Sequence, residues 1–375
     1  MKTRIAKRKA ACLASACLAL SLAAGGWWAA SAENGTGGGS VMPWMGPGTP
    51  PVGDCGAWIV DWDDEQGWRE LREQPRLFRQ IQWFAAGFDE TGALKTPETL
   101  SRALAYAAKR KSDSRESFFD FGNDAGPEHF LTVVNDRPGQ LKDPELVARL
   151  LNDPERRAGH LRELAALASS PGLAGIELDY EAVRAGDWPA YLSFVGELQA
   201  ELARAGGKLR VVLEPKKEYF VLPFPKGPDY VLMAYNLFGG HGGPGPKANP
   251  EFLRTLGERC RAAGIAPRLA LANGGFIWRP GSRAVTLTEV EALALARAEG
   301  VKPERDPDSA AMFFRYPANA PAEAAREVWY ADGYTLAFWI QESIKAGFCR
   351  FALWRLGGNR PQTLARLRQA LDGDP

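Results

Sequence analysis

"GLAGIELDYEAV", residues 172 to 183, alternates apolar Ile176, Leu178 and Tyr180 with acidic Glu177, Asp179 and Glu181. Side chains of a strand point alternately to its two faces, so the three acids share one face and the apolar residues the other. A strand of a β/α barrel turns one face to the surrounding helices and one to the barrel axis, and both are ordinarily apolar. Ile176, Leu178 and Tyr180 suit the helix side. The acids then point inward, where an unpaired carboxylate is costly or takes up a proton. Ion pairs with Arg or Lys would be the purely structural explanation. The functional one also explains the order: Glu181 comes last and lies at the C-terminal mouth, where barrel active sites are built. Asp179 stands about 6 to 7 Å back along the same face. Its charge is expected to raise the pKa of Glu181, as a general acid requires.

β-Rich runs recur at 57–62, 80–86, 129–134, 175–181, 209–214, 230–235, 268–273 and 349–354. Helical patterns at 97–111, 144–169, 188–205, 250–263, 288–299 and 333–346 separate most of them, and the second of these is interruptible at Asn152-Asp153-Pro154. Eight strands alternating with helices predict an α/β fold, a TIM (β/α)8 barrel. A doubly wound open sheet is the alternative, but no Gly-rich phosphate fingerprint follows the first strand. Between strands seven and eight, about 300–332, "MFFRY" (312–316) and "EVWY" (327–330) predict a small hairpin insertion. Closure of the barrel brings strands one and eight together, making Cys55 and Cys349 a disulfide to test.

Residues 1–32 combine Lys2, Arg4, Lys7, Arg8 and Lys9 with an Ala/Leu-rich run and Ala30-Ser31-Ala32. This predicts a signal peptide and an exported protein, with an uncleaved membrane anchor or a lipoprotein site at Cys17 as alternatives. Residues 33–53 are a Gly/Pro-rich linker, and the barrel domain occupies 54–375. Removing the first 32 residues takes five of the 46 basic groups and none of the 45 acidic ones, leaving a slightly acidic protein. That balance points to neither nucleic acid nor anionic lipid as a partner. With three His and no paired cysteine spacing, neither a metal site nor another cofactor is expected.

"AGIELDYE" (174–181) resembles the strand-four motif of glycoside hydrolase family 18, the chitinase family, whose pattern is Asp-Gly-x-Asp-x-Asp-x-Glu on a TIM barrel. "LMAYN" (232–236) is similar to the family's strand-six Met-x-Tyr-Asp, and "FALWRLGG" (351–358) to its strand-eight Trp. The closing run from Glu327 to Gly358 is most similar to the bacterial branch with spore-cortex and cell-wall N-acetylglucosaminidases. The resemblance covers roughly residues 55 to 360. It implies a retaining hydrolase of β-linked N-acetylhexosamine glycans such as peptidoglycan or chitin, in which the substrate's own 2-acetamido oxygen is the nucleophile. On that pattern Glu181 protonates the glycosidic oxygen and later activates water. Asp179 holds the acetamido N–H, Tyr235 donates to the acetamido oxygen, and Trp354 forms the floor under the sugar.

The departures are specific. Ala174 and Glu177 replace the first two Asp residues of the motif, and Asn236 replaces the Asp after the strand-six Tyr. Glu177 and Asn236 are carried as substrate-side candidates, and together they support the alternative of a non-catalytic, lectin-like glycan-binding barrel. A second catalytic carboxylate of the ordinary retaining kind is absent from "LALANGGF" on strand seven. Glu214 is the only obvious substitute, and Lys216 and Lys217 beside it suit a charge-paired rim residue; it is carried among the substrate-binding candidates. Trp62, Trp68, Trp83, Trp278 and Trp329 are divided between sugar stacking and packing, with Trp83 counted among the binding candidates. His241 lies on a Gly-rich loop after strand six, and Asp61 and Asp63 fall in a segment that reads equally as pocket or polar turn.

Overall fold

A computed structural model describes residues 54–116, 126–240, 242–279, 281–317 and 325–373. The expected signal peptide (1–32) and linker (33–53), and His241, lie outside them. Eight parallel strands form the barrel: Asp54–Val60, Gln80–Phe88, Glu128–Val134, Leu173–Asp179, Lys208–Leu213, Asp229–Met233, Arg268–Ala272 and Arg350–Trp354. Each pairs with its sequence neighbours, and the first pairs with both the eighth and the second, which closes the sheet.

Alternation along the strands builds two apolar layers. Ile59, Ile81, Leu131, Ile176, Leu178 and Leu269 face the helices. Trp58, Phe84, Val134, Val231, Met233 and Ala352 fill the barrel axis. Helices follow most strands, and the long one expected after strand three is indeed two, Pro144–Leu151 and Pro154–Ala168. Asp153 caps the second by accepting from the Arg156 N–H, with Pro154 in the first turn, where its missing N–H costs nothing. Strands five and six are joined by the short turn Lys217–Val221 instead of an α-helix. The polar "DWDDEQG" stretch opens an additional helix, Asp64–Glu73.

The insertion is larger than a hairpin. The expected strands pair as Met312–Tyr316 with Arg326–Ala331, but within a five-stranded antiparallel sheet that also contains Gly274–Trp278, Val285–Leu287 and Glu304–Arg305. Helix Glu289–Ala298, expected to pack on the barrel, covers this sheet through Ala292 and Ala296. The inserted unit therefore starts at Gly274, with only Asn273 between it and strand seven. Gly274 and Gly275 open the first strand of the inserted sheet. Here Gly275 is needed for close approach, since a Cβ would sit 1.7 Å from the Trp329 carbonyl oxygen. The insertion ends with equal economy. Asp332 alone separates Ala331 from helix Gly333–Lys345, caps that helix through the Thr335 N–H, and pairs with Arg305 of the inserted sheet at 2.7 Å.

Cys55 and Cys349 are both free thiols. Parallel pairing sets Phe351, not Cys349, opposite Cys55, so the two cysteines are offset along their strands. No helix among the described residues is long and apolar enough to cross a membrane.

Candidate active site

At the C-terminal mouth of the barrel lies an open pocket of about 480 Å³, the solvent at its mouth included. Trp62, Phe84, Met233 and Trp354 supply its apolar walls, Tyr235 and Asn236 one polar side, and Asp136, Lys142, Asp179 and Glu181 the charged side. Of the sequence candidates, Asp179, Glu181, Tyr235, Asn236 and Trp354 come together here. Among the described residues no cluster of His, Cys, Asp or Glu could hold a metal ion.

Strand four ends at Asp179, two residues earlier than expected, and the chain beyond it is held by side chains. Asn135, after strand three, accepts from the Glu181 N–H at 3.0 Å and donates to the Glu181 carbonyl at 2.9 Å. Ala182 follows at φ 56°, and its N–H donates to Glu214. Both acids are buried, with Asp179 7% and Glu181 8% exposed. Asp179 Oδ1 accepts no hydrogen bond from the protein. Burial, then the charge of Glu181, push the Asp179 carboxyl well above the usual range, against the opposing pull of Lys142. Burial also raises Glu181; Lys142 opposes this, and Glu214 and Asp136 reinforce it.

Lys142 has no counterpart in the sequence reading. Its Nζ lies 2.5 Å from Glu181 Oε2, and its side chain is nearly buried. The loop that presents it is braced by Asp143, which accepts from Arg137, Gln140 and the Glu145 N–H. Lys142 itself sits at φ 51°, its N–H donating to Asp136 at 2.7 Å. Burial disfavours the ammonium, but Glu181, with Asp179 and Glu214 behind it, more than offsets this and raises the Lys142 pKa.

Three expected substrate contacts are corrected. Glu177 lies below the pocket, fully buried, accepting from Trp58 Nε1 at 2.7 Å, Thr132 Oγ1 at 2.7 Å and Arg210 Nε at 2.8 Å. Thr132 and Arg210 are its register partners on the two neighbouring strands, and Trp58 reaches it from strand one. Trp83 is on the helix side, packed on Trp68 and stacked on His129. Strand parity gives the pocket to its neighbour Phe84. Glu214 stands behind Glu181, accepting from Lys216 at 2.7 Å, Tyr219 at 3.0 Å and the Ala182 N–H at 3.1 Å. The predicted charge pairing is present, and the carboxylate does not line the pocket.

Trp354 is fixed on both sides. Its ring meets Phe84 and Trp58 edge-on, with centroids 5.0 and 5.7 Å away. Behind it, Asn273 donates from its backbone to the Trp354 carbonyl at 3.1 Å. The Asn273 side chain accepts the Arg355 N–H at 3.0 Å and donates to the Arg355 carbonyl at 2.9 Å. Asn359 contacts Asn273, and Glu70 gathers the Gly357 and Asn359 N–H groups and the Asn359 amide. Neither Asn273 nor Glu70 stands out in the sequence, because their partners come from distant elements.

The arrangement sets a partly desolvated acid beside a buried, unpartnered carboxylate oxygen, over an aromatic floor. Such a site can deliver a proton to a bound sugar and hold a donor group of it. No family model matches the chain. It is similar to the cortical fragment-lytic enzyme of Bacillus subtilis, at 25% identity over 251 residues, covering 62% of this chain and 58% of that protein. The chain spans 51% and 58% of the length of the two curated relatives it matches. Among solved structures, the spore cortex-lytic enzyme SleL of Bacillus cereus superposes with TM-score 0.70 at 20% identity, over 86% of this chain and 75% of that one. A class V chitinase of Pseudomonas fluorescens superposes with TM-score 0.70 at 20% identity, over 85% of this chain and 99% of that one. The barrel fold is common to this chain and these two solved structures.

Proposed function

We propose that this chain is an exported glycoside hydrolase that cleaves β-linked N-acetylhexosamine glycans, peptidoglycan or chitin among them, by a retaining, substrate-assisted mechanism. Glu181 protonates the glycosidic oxygen and then activates water. The sugar's acetamido oxygen attacks C1, Asp179 accepts the acetamido N–H as the intermediate becomes charged, and Tyr235 donates to the acetamido oxygen. Trp354 lies under the ring, and Asn236 contacts the substrate. No protein nucleophile is required, in keeping with a strand seven that ends Ala272-Asn273 without a carboxylate.

One observation carries the reading: Asp179 and Glu181 line the same pocket, both buried, with Asp179 Oδ1 lacking any protein donor. A buried acceptor left unpartnered is costly unless a ligand uses it. The names of the cortex-lytic and chitinase relatives agree with this substrate class. The ion pair between Lys142 and Glu181 favours a second reading, a glycan-binding barrel without turnover.

Reducing-end release from N-acetylglucosamine oligomers and from purified peptidoglycan sacculi separates the two. The hydrolase reading expects release by the wild type and a loss of about 10²- to 10⁴-fold in Glu181→Gln, with oligomer binding retained. Binding without release from any acetamido sugar would favour the second.

A further inference from the structure

Resting on the hydrolase reading, we propose that Lys142 is a positioning residue for the acid step: its ammonium holds Glu181 in the pocket as a carboxylate between turnovers and yields it to the glycosidic oxygen when a sugar is bound. The resemblance to known chitinases does not provide for this residue. The inference stands on the contact itself, 2.5 Å between Nζ and Oε2, and on how much structure is devoted to making it.

Lys142 adopts a left-handed backbone, at φ 51°, a conformation that a branched or long side chain rarely takes and that persists only where its surroundings impose it. Those surroundings are Asp136, which takes its N–H, and Asp143, which pins the loop to Arg137 and to the next helix. A lysine serving solubility would be solvated, whereas this one is 8% exposed. A buried Lys–Glu pair is also a weak stabilising device, because desolvation offsets most of the attraction. The arrangement is better explained by control of Glu181.

Every charged or titratable group around Glu181 fits that control. Asp136 and Lys142 come from the loop after strand three, Asp179 from strand four, Glu214 with its partners Lys216 and Tyr219 from strand five, and Tyr235 from strand six. Lys142 is the one cation among the described pocket-lining residues. Without it, Asp136, Asp179 and Glu214 would oppose ionisation of Glu181 unchecked.

One proton is held between Asp179 and Glu181. When it resides on Glu181 the Lys142 contact loosens, and Asp179 becomes the carboxylate that accepts the acetamido N–H. Glu181 then gives the proton to the leaving oxygen, which takes the electron pair of the broken C1–O bond, while the acetamido oxygen bonds C1. In the second half-reaction water bonds C1 as the bond from C1 to the acetamido oxygen breaks and its electron pair returns to that oxygen; the water proton goes to Glu181 and is again held by the pair.

Lys142→Met tests this, with two readouts. Carbon-13 NMR of side-chain-labelled glutamate, assigned with Glu181→Gln, follows titration of the Glu181 carboxyl with no need for turnover. The pH profile of kcat/KM on N-acetylglucosamine tetramer follows the acid step. Loss of the ammonium is expected to raise the Glu181 midpoint by about one to three pH units and to move the alkaline limb upward with it. Lys142→Arg should restore both. Lys142→Gln, with the same expectations as the Met variant, serves where the latter does not fold. An unchanged Glu181 midpoint in a folded neutral variant overturns the proposal. A wild type inactive on every glycan refutes the hydrolase reading instead, and the NMR titration still decides whether Lys142 governs Glu181.

Discussion

Glu177 and Arg210 meet inside the closed barrel, carboxylate oxygen to guanidinium nitrogen at 2.8 Å, with neither side chain reaching solvent. An acid of the strand-four motif is thereby withdrawn from the site and made part of the framework. Glu177→Gln leaves the buried Arg210 guanidinium with only Gln80 and the longer contact to Asp229 at 3.4 Å, so it should lower unfolding stability by about 3 kcal/mol. Glu177→Gln combined with Arg210→Met should cost less than the two single changes added together. Urea unfolding of the four proteins checks both statements, and equal, additive losses would contradict them.

Asp179 presents the opposite case, a carboxylate whose burial works against the fold. Its folded pKa lies well above its unfolded value, so the proton it carries when folded stabilises the protein at low pH. That contribution is lost as pH rises through the folded pKa. Asp179→Asn removes the titration, and at pH 8 it should be more stable than the wild type by about 1 to 3 kcal/mol while losing turnover. Thermal unfolding at pH 4 and pH 8 should show the gap widening with pH.

His160 reverses the sign. It is buried against Phe194, bonded to the Tyr180 hydroxyl at 2.6 Å, and burial pushes its pKa down to about 4. The unfolded chain binds a proton near pH 6.5, so stability should fall as pH drops from about 6.5 to about 4, by about 3 kcal/mol from this group. Denaturant midpoints across that window check this. In His160→Gln the slope from this residue should be absent, so the deficit of the variant at pH 7 should shrink at pH 4.5.

Asn273→Ala removes both side-chain bonds to Arg355 and frees the backbone after Trp354. A floor displaced by a fraction of an ångström misplaces the sugar, and kcat/KM should fall about tenfold to a hundredfold. Asn273→Asp retains the acceptor for the Arg355 N–H but not the donor, and should fall between. Hydrolysis of N-acetylglucosamine tetramer by the two variants measures the order.

The barrel was legible because its strands and helices alternate with local periodicity. The acid pair was legible because strand parity aims Asp179 and Glu181 at one face. Parity failed for Trp83, since a barrel strand is apolar on both faces and "QWF" fits either register. Lys142 was out of reach because its partner lies 39 residues on, beyond two helices and strand four. Arg210 offered a usable signal: a lone arginine in apolar "LRVVL" on the next strand, where an inward position needs an acid. Glu177, 33 residues before it, is that acid.

The single-residue junctions at Asn273 and Asp332 leave the inserted sheet no slack with which to swing. Trp278 fastens it further, donating to the Gly239 and Gly242 carbonyls of the loop after strand six. On the hydrolase reading, a cleft framed in this way is expected to keep its width on binding instead of folding down over a polymer as a hinged cover would. Shielding of the reacting bond must then come from the saccharide itself, so short oligomers should be processed less efficiently than chains long enough to roof their own cleavage point.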